Sequence, residues 1–214
     1  KFLFNTDFTT MKDPLRIGYC AYHGAGRKAV PRMLSDIGLN EVKPITRNGL
    51  FELDGLFPSF CSAPGQERQP DPGDPRAAAI AVDAFRKEYP GQFKQTDILI
   101  GTDPDADRSG IVVKVPENQR HLYEGNDWML LPADDMWALL VWFRLHREAE
   151  LNGGVVPDAD RKFVVYSHTS ADSIGRLCLS RGVGYIKSWV GFAALSACVR
   201  DAWEGTLNLE ISEG

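Results

Sequence analysis

Strand-length apolar runs alternate with helix-length amphipathic stretches along nearly the whole chain, and a helix between successive strands is what parallel pairing in one sheet requires. Residues 15–22, LRIGYCAY, read as a strand that enters a turn with glycines at 24 and 26. A helix over 23–38 follows, with Val30, Met33, Leu34 and Ile37 at helical spacing and Gly38 as its stop. Residues 39–45 form a short strand candidate, and 48–75 form a long loop rich in Gly and Pro. The pattern resumes with a helix over 76–91, a strand over 97–101 and a returning strand over 110–115.

A second series repeats the plan. A helix is expected over 132–150, with an apolar stripe of Met136, Leu139, Leu140 and Phe143. Next come a strand over 161–168, a helix over 171–182 opened by Thr169-Ser170, a strand over 183–189, a helix over 192–205 and a strand over 206–210. The fold expected is α/β, as two tandem three-layer α/β/α domains over residues 1–122 and 123–214. Each is a small mixed sheet covered by helices on both faces. The chain opens on KFLFNTDF and stops at NLEISEG, which reads as a piece of something longer.

Composition narrows the function classes. A formal net charge of −5 leaves no basic footprint for nucleic acid or an anionic membrane. The longest apolar run, 136–143, falls well short of the ~20 residues a membrane-spanning helix needs. Four cysteines lie far apart without a CxxC pair, the pattern of reduced, mostly buried thiols in a cytoplasmic protein.

The chemistry concentrates in 101–110, GTDPDADRSG, between two strand candidates. Asp103, Asp105 and Asp107 alternate, and carboxylates this close raise one another's pKa unless a cation sits among them. Aspartate and proline also serve plain turns, but three alternating carboxylates exceed what a turn needs. An EF-hand fails, because its sixth position, a glycine, is Arg108 here and its twelfth, a glutamate, is Lys114. What remains is a hard divalent ion, Mg²⁺ first, with a position open for a phosphate oxygen and Arg108 beside it. A metal with an arginine is the equipment of phosphoryl transfer. A phosphatase acting by water attack needs a general base beside the metal, and none is evident.

These residues resemble the α-D-phosphohexomutase superfamily, the phosphoglucomutases and phosphomannomutases. The strand followed by GTDPDADR is similar to that family's metal loop. Residues 19–26, YCAYHGAG, resemble the strand-to-helix turn of its second domain, and 54–58, DGLFP, with 70–72, PDP, resemble its Gly/Pro loop. Residues 164–177 resemble the strand-Thr-Ser-helix opening of its third domain, while 189–192, WVGF, and 210–214, EISEG, fall where its sugar-contacting loops lie.

The resemblance implies that the chain supplies the second and third of four domains around one cleft. The phosphoserine of the first domain and the phosphate-binding loop of the fourth would lie outside it. The implied reaction shifts phosphate between C1 and C6 of a hexose through a bisphosphate, with glucose the first choice and mannose the second. Asp103, Asp105 and Asp107 would hold Mg²⁺, Arg108 would steady the phosphoryl group, and Gly191, Phe192, Glu210 and Ser212 would meet the phosphosugar. A non-catalytic metal- or phosphosugar-binding module of the same fold is the alternative.

The sugar loops depart from the family pattern. Val190-Gly191-Phe192-Ala193 lacks the hydroxyl and basic residue of Thr-Gly-Phe-Lys, and Glu-Ile-Ser-Glu-Gly replaces Glu-Glu-Ser-Gly-Gly. His23 is expected as a hydrogen-bonded structural residue, Gly24 and Gly26 as turn geometry, Thr169-Ser170 as a helix cap, and the tryptophans as core or interdomain packing residues, with Trp189 beside the sugar loop the exception.

Overall fold

The structure, a computed structural model, describes residues 8–61 and 69–207. It divides into two compact units, Lys1–Pro132 and Ala133–Gly214.

In the first unit the expected alternation forms one mixed five-stranded sheet. Its strands are β1 (Ile17–Cys20), β2 (Val42–Pro44), β3 (Ile98–Thr102), β4 (Ser109–Lys114) and β5 (Trp128–Leu130), in the order β2-β1-β3-β4-β5. β1 pairs in parallel with β2 and β3, and β4 is antiparallel to β3 and β5. The helix α1 (Gly26–Asp36) links β1 to β2, and α2 (Pro75–Glu88) with the single turn α3 (Pro90–Phe93) precedes β3. α2 starts where it does because the Asp74 carboxylate accepts the Arg76 amide at 2.8 Å and Pro75 occupies the first turn.

The buried face of α2 is Ala77, Ala78, Ala81, Ala84 and Phe85, joined in one apolar core by Leu99 of β3, Val112 of β4 and Trp128 of β5. The small residues let the helix lie close to the sheet while Phe85 fills the space between. The helix over 26–36 buries only Leu34 of its expected face; Met33 is 57% exposed.

β5 is a strand absent from the sequence reading. Its three residues carry no periodicity, yet they pair with β4 through Val112↔Leu130 and Lys114↔Trp128. The first unit therefore runs beyond the division expected after residue 122.

The second unit contains α4 (Ala133–Leu151), β6 (Phe163–Ser167), α5 (Ser173–Leu179), β7 (Gly184–Ser188) and α6 (Phe192–Trp203). β6 and β7 pair in parallel, in register from Phe163↔Gly184 to Ser167↔Ser188. Its core is Leu145, Ala149, Val156, Cys178 and Val183, with Val141 packed against it. Positions 141, 145 and 149 form one i, i+4 row of α4, so the helix turns this row inward. The stripe expected to be apolar and inward is instead open: Leu139, Leu140 and Phe143 are 53%, 51% and 42% exposed. Of the five tryptophans only Trp128 is buried.

Thr169 and Ser170 do not cap α5. Their hydroxyls pair with the Ser167 hydroxyl, and the Ala171 amide donates to the Asp134 carboxylate at 3.1 Å. Cys20 and Cys178 are buried and Cys61 is exposed. The strand expected over 206–210 falls largely outside the described residues. Among the described residues no helix is long and apolar enough to cross a membrane.

Candidate metal centre

The hairpin between β3 and β4 presents the three aspartates. Thr102 pairs with Ser109 at its mouth, so residues 103–108 must reverse the chain. The reversal is closed by the Ala106 amide on the Asp103 carbonyl at 3.0 Å and the Asp103 amide on the Arg108 carbonyl at 3.3 Å. Ala106 takes the left-handed conformation, φ +62°. One carboxylate oxygen from each of Asp103, Asp105 and Asp107 then lies within 4.8 Å of the other two. Asp103 is 1% exposed at the sheet end, while Asp105 and Asp107 are exposed.

The turn after β1 supports the loop from its other side. The Ala25 amide donates to the Pro104 carbonyl at 2.8 Å. This approach requires glycine at 24, because a Cβ there would lie 2.4 Å from the Pro104 Cα. Below the loop, the buried Tyr19 and Thr102 hydroxyls are 2.8 Å apart.

Arg108 sets the electrostatics. Its amide donates to Asp103 Oδ1 and its Nε to Asp103 Oδ2, both at 2.9 Å. Burial works to raise the Asp103 carboxyl, but these Arg108 contacts outweigh it and hold it below the usual carboxylate range. Asp107 moves the other way: its contact with Asp103, and then the charge of Asp105, push its carboxyl up. The centre thus holds one firmly ionised buried carboxylate beside two that repel each other. Three hard oxygen donors this close, with residual repulsion, fit a hard divalent cation.

The other residues read from the sequence divide by unit. Gly191 caps the start of α6 at φ +112°, and Phe192 is 83% exposed. Trp189, also open, meets His168 edge to face at 5.3 Å between ring centroids. Glu210 and Ser212 lie outside the described residues.

Two residues differ from expectation. His23 is 3% exposed and its ring nitrogens make no hydrogen bond of full geometry; burial lowers its pKa against the opposing pull of Asp54 and of the Glu52 and Gly49 backbone. Its backbone bonds instead, the amide to the Leu50 carbonyl at 3.0 Å. Asp71, read only as part of a loop motif, accepts from Arg108 Nη1 at 2.9 Å. The two are 37 positions apart, and no local spacing signals the contact.

The family model for phosphoglucomutase/phosphomannomutase, alpha/beta/alpha domain II, matches residues 2–116. The chain belongs to this phosphohexomutase family. A phosphoglucomutase of Staphylococcus epidermidis (strain ATCC 12228) is 30% identical over 118 residues, 55% of this chain and 19% of that protein. A phosphoglucomutase of Staphylococcus aureus (strain N315) is 25% identical over 189 residues, 88% of this chain and 29% of that protein. The chain thus spans less than a third of these phosphoglucomutases.

Solved structures of phosphohexomutases show the same fold. A phosphoglucomutase/phosphomannomutase family protein from Burkholderia thailandensis superposes with a TM-score of 0.62 at 18% identity, over 94% of this chain and 34% of that one. A phosphomannomutase described as putative, from Thermus thermophilus, gives 0.56 at 20% identity, over 90% and 34%.

Proposed function

We propose that this chain is the metal-binding and part of the sugar-binding portion of a Mg²⁺-dependent phosphosugar mutase. The reaction interconverts hexose 1-phosphate and hexose 6-phosphate through a phosphoserine and a bisphosphate. Glucose is the first-choice sugar, because the two Staphylococcus relatives named above are phosphoglucomutases; mannose is the second. The serine and the phosphate-binding loop belong to other parts of the parent protein, consistent with the 29% of a relative that the chain spans. The observation that carries the reading is the convergence of Asp103, Asp105 and Asp107 at the end of β3, inside the segment that matches the family.

Asp103, Asp105 and Asp107 would hold the Mg²⁺. Bound there, the ion neutralises charge on a transferring phosphoryl group. Asp103 is the anchor, fixed by burial and by both Arg108 contacts. Arg108 has Nε on Asp103 and Nη1 on Asp71, and Nη2 has no partner among the described residues, which suits it to meet a phosphoryl oxygen. Gly191 and Phe192, with Glu210 and Ser212, are assigned to the sugar. The 190–193 loop lacks the hydroxyl and basic residue of the family pattern and the 210–214 sequence departs from it as Glu-Ile-Ser-Glu-Gly, so altered sugar preference is expected there.

Calorimetric titration of the chain with Mn²⁺ and Mg²⁺ tests the centre. Saturable binding that Asp105→Asn abolishes is expected; a wild-type chain that takes up neither ion refutes it. The chain alone should show no mutase turnover with glucose 1-phosphate and its bisphosphate, whereas the parent protein should be active. Turnover by the chain alone would overturn the assignment of the serine to another part.

A further inference from the structure

Arg108 is held between two carboxylates that come from different parts of the chain. Asp103 Oδ2 accepts Nε and Asp71 Oδ2 accepts Nη1, each at 2.9 Å. A third carboxylate, Asp107, lies farther off, 3.8 Å from Nε. Two of these three belong to the metal triad, and Asp71 does not. It sits on 69–74, ahead of α2, and that segment is fastened independently of Arg108. Asp71 Oδ1 accepts the Gly73 amide at 2.8 Å, and the Asp71 carbonyl accepts the Asp74 amide at 3.0 Å. Pro72 is buried against the start of β4, where a Cβ on Gly110 would lie 2.0 Å from the Pro72 carbonyl oxygen. Asp71 is therefore a fixed point outside the triad, bonded to one end of a guanidinium whose other end touches a triad member.

We propose that Asp71 is a positioning residue that sets the metal affinity of the Asp103–Asp105–Asp107 centre by holding the Arg108 guanidinium off Asp107. This rests on the metal-centre reading and adds a fourth carboxylate with a different task. A carboxylate offers a limited number of lone-pair directions, and every one taken by an arginine N–H is withheld from a cation. With Asp71 charged, Nη1 is satisfied on the loop and the guanidinium keeps its distance from Asp107. With that charge removed, the carboxylates left beside Arg108 are Asp103 and Asp107. The arginine, already bonded to Asp103, then also competes with the metal for Asp107.

The competing explanation is bare charge: any carboxylate near the centre attracts a divalent cation, with or without Arg108. A double-mutant cycle separates the two. Asp71→Asn keeps an oxygen for the Gly73 amide and removes only the charge. Mn²⁺ affinity is measured by calorimetry for the wild-type chain, Asp71→Asn, Arg108→Ala and the double variant. Asp71→Asn is expected to weaken Mn²⁺ binding by about fivefold or more in the wild-type background and by less than about twofold in the Arg108→Ala background. Equal weakening in both backgrounds, whether from bare charge or from a damaged loop, overturns the proposal, as does no weakening in either. A wild-type chain that binds no Mn²⁺ overturns the metal centre itself, a result distinct from these.

Discussion

Replacing Gly24 by alanine should damage both the fold and the proposed metal centre, because the turn after β1 and the acidic loop touch through backbone. The added Cβ would lie 2.4 Å from Pro104 Cα, 2.6 Å from the Pro104 carbonyl oxygen and 2.8 Å from the Ala21 carbonyl oxygen. Carbon atoms in contact prefer about 3.5–4.0 Å, so one of the two segments must retreat by about 1 Å. None of the three atoms is the free end of a flexible side chain, and overpacking of this kind costs about 1–3 kcal/mol. The retreat also strains the 2.8 Å bond from the Ala25 amide to Pro104, worth about 1 kcal/mol. Urea denaturation should therefore show a loss of about 2–4 kcal/mol. Pro104 stands between Asp103 and Asp105, so Mn²⁺ affinity should fall in the same variant. Gly91, in α3, has nothing within 4 Å of its would-be Cβ, and Gly91→Ala should stabilise by about 0.5–1 kcal/mol. A Gly24→Ala protein as stable as wild type, with unchanged Mn²⁺ binding, would refute the close-approach argument.

Thiol reactivity should follow burial. Burial pushes the Cys20 thiol up to about 12 and the Cys178 thiol to about 11, while Cys61 is exposed. Iodoacetamide at pH 8 should alkylate Cys61 first and reach Cys20 and Cys178 only on denaturation; mass spectrometry showing equal rates would contradict this. Glu88 gives a pH signature. Burial works to raise its carboxyl, but the Thr46 hydroxyl and the Arg47 and Thr46 amides outweigh burial and hold it below its ordinary 4.5. A lowered folded pKa means the unfolded chain binds the proton more readily. The stabilisation is therefore complete above the unfolded pKa and fades as pH falls through the folded one. Glu88→Gln should lower stability at neutral pH and flatten its acid limb, as read by urea midpoints from pH 3 to 7; an unchanged slope would remove Glu88 from that limb.

Features written within one element, or between immediate neighbours, were legible in the sequence. The alternation of strands and helices follows from side-chain period, and a strand-D-x-D-x-D-R-strand run states its own chemistry because a hairpin keeps those residues together. Features that depend on what packs against what were not legible. β5 is too short to carry a period and exists through its pairing with β4. α4 is apolar on several faces, so its composition could not say that Val141, Leu145 and Ala149 would turn inward and Leu139, Leu140 and Phe143 outward. His23 was placed correctly at the turn, but its burial depends on Leu50, Phe57 and Phe60 packing against it. Asp71 and Arg108 meet because Gly110 lets Pro72, ahead of α2, lie against β4. Local periodicity and spacing determined the elements and the three clustered carboxylates. Tertiary packing decided which other charge holds Arg108, because a contact across 37 residues is made by the sheet and not by the chain between.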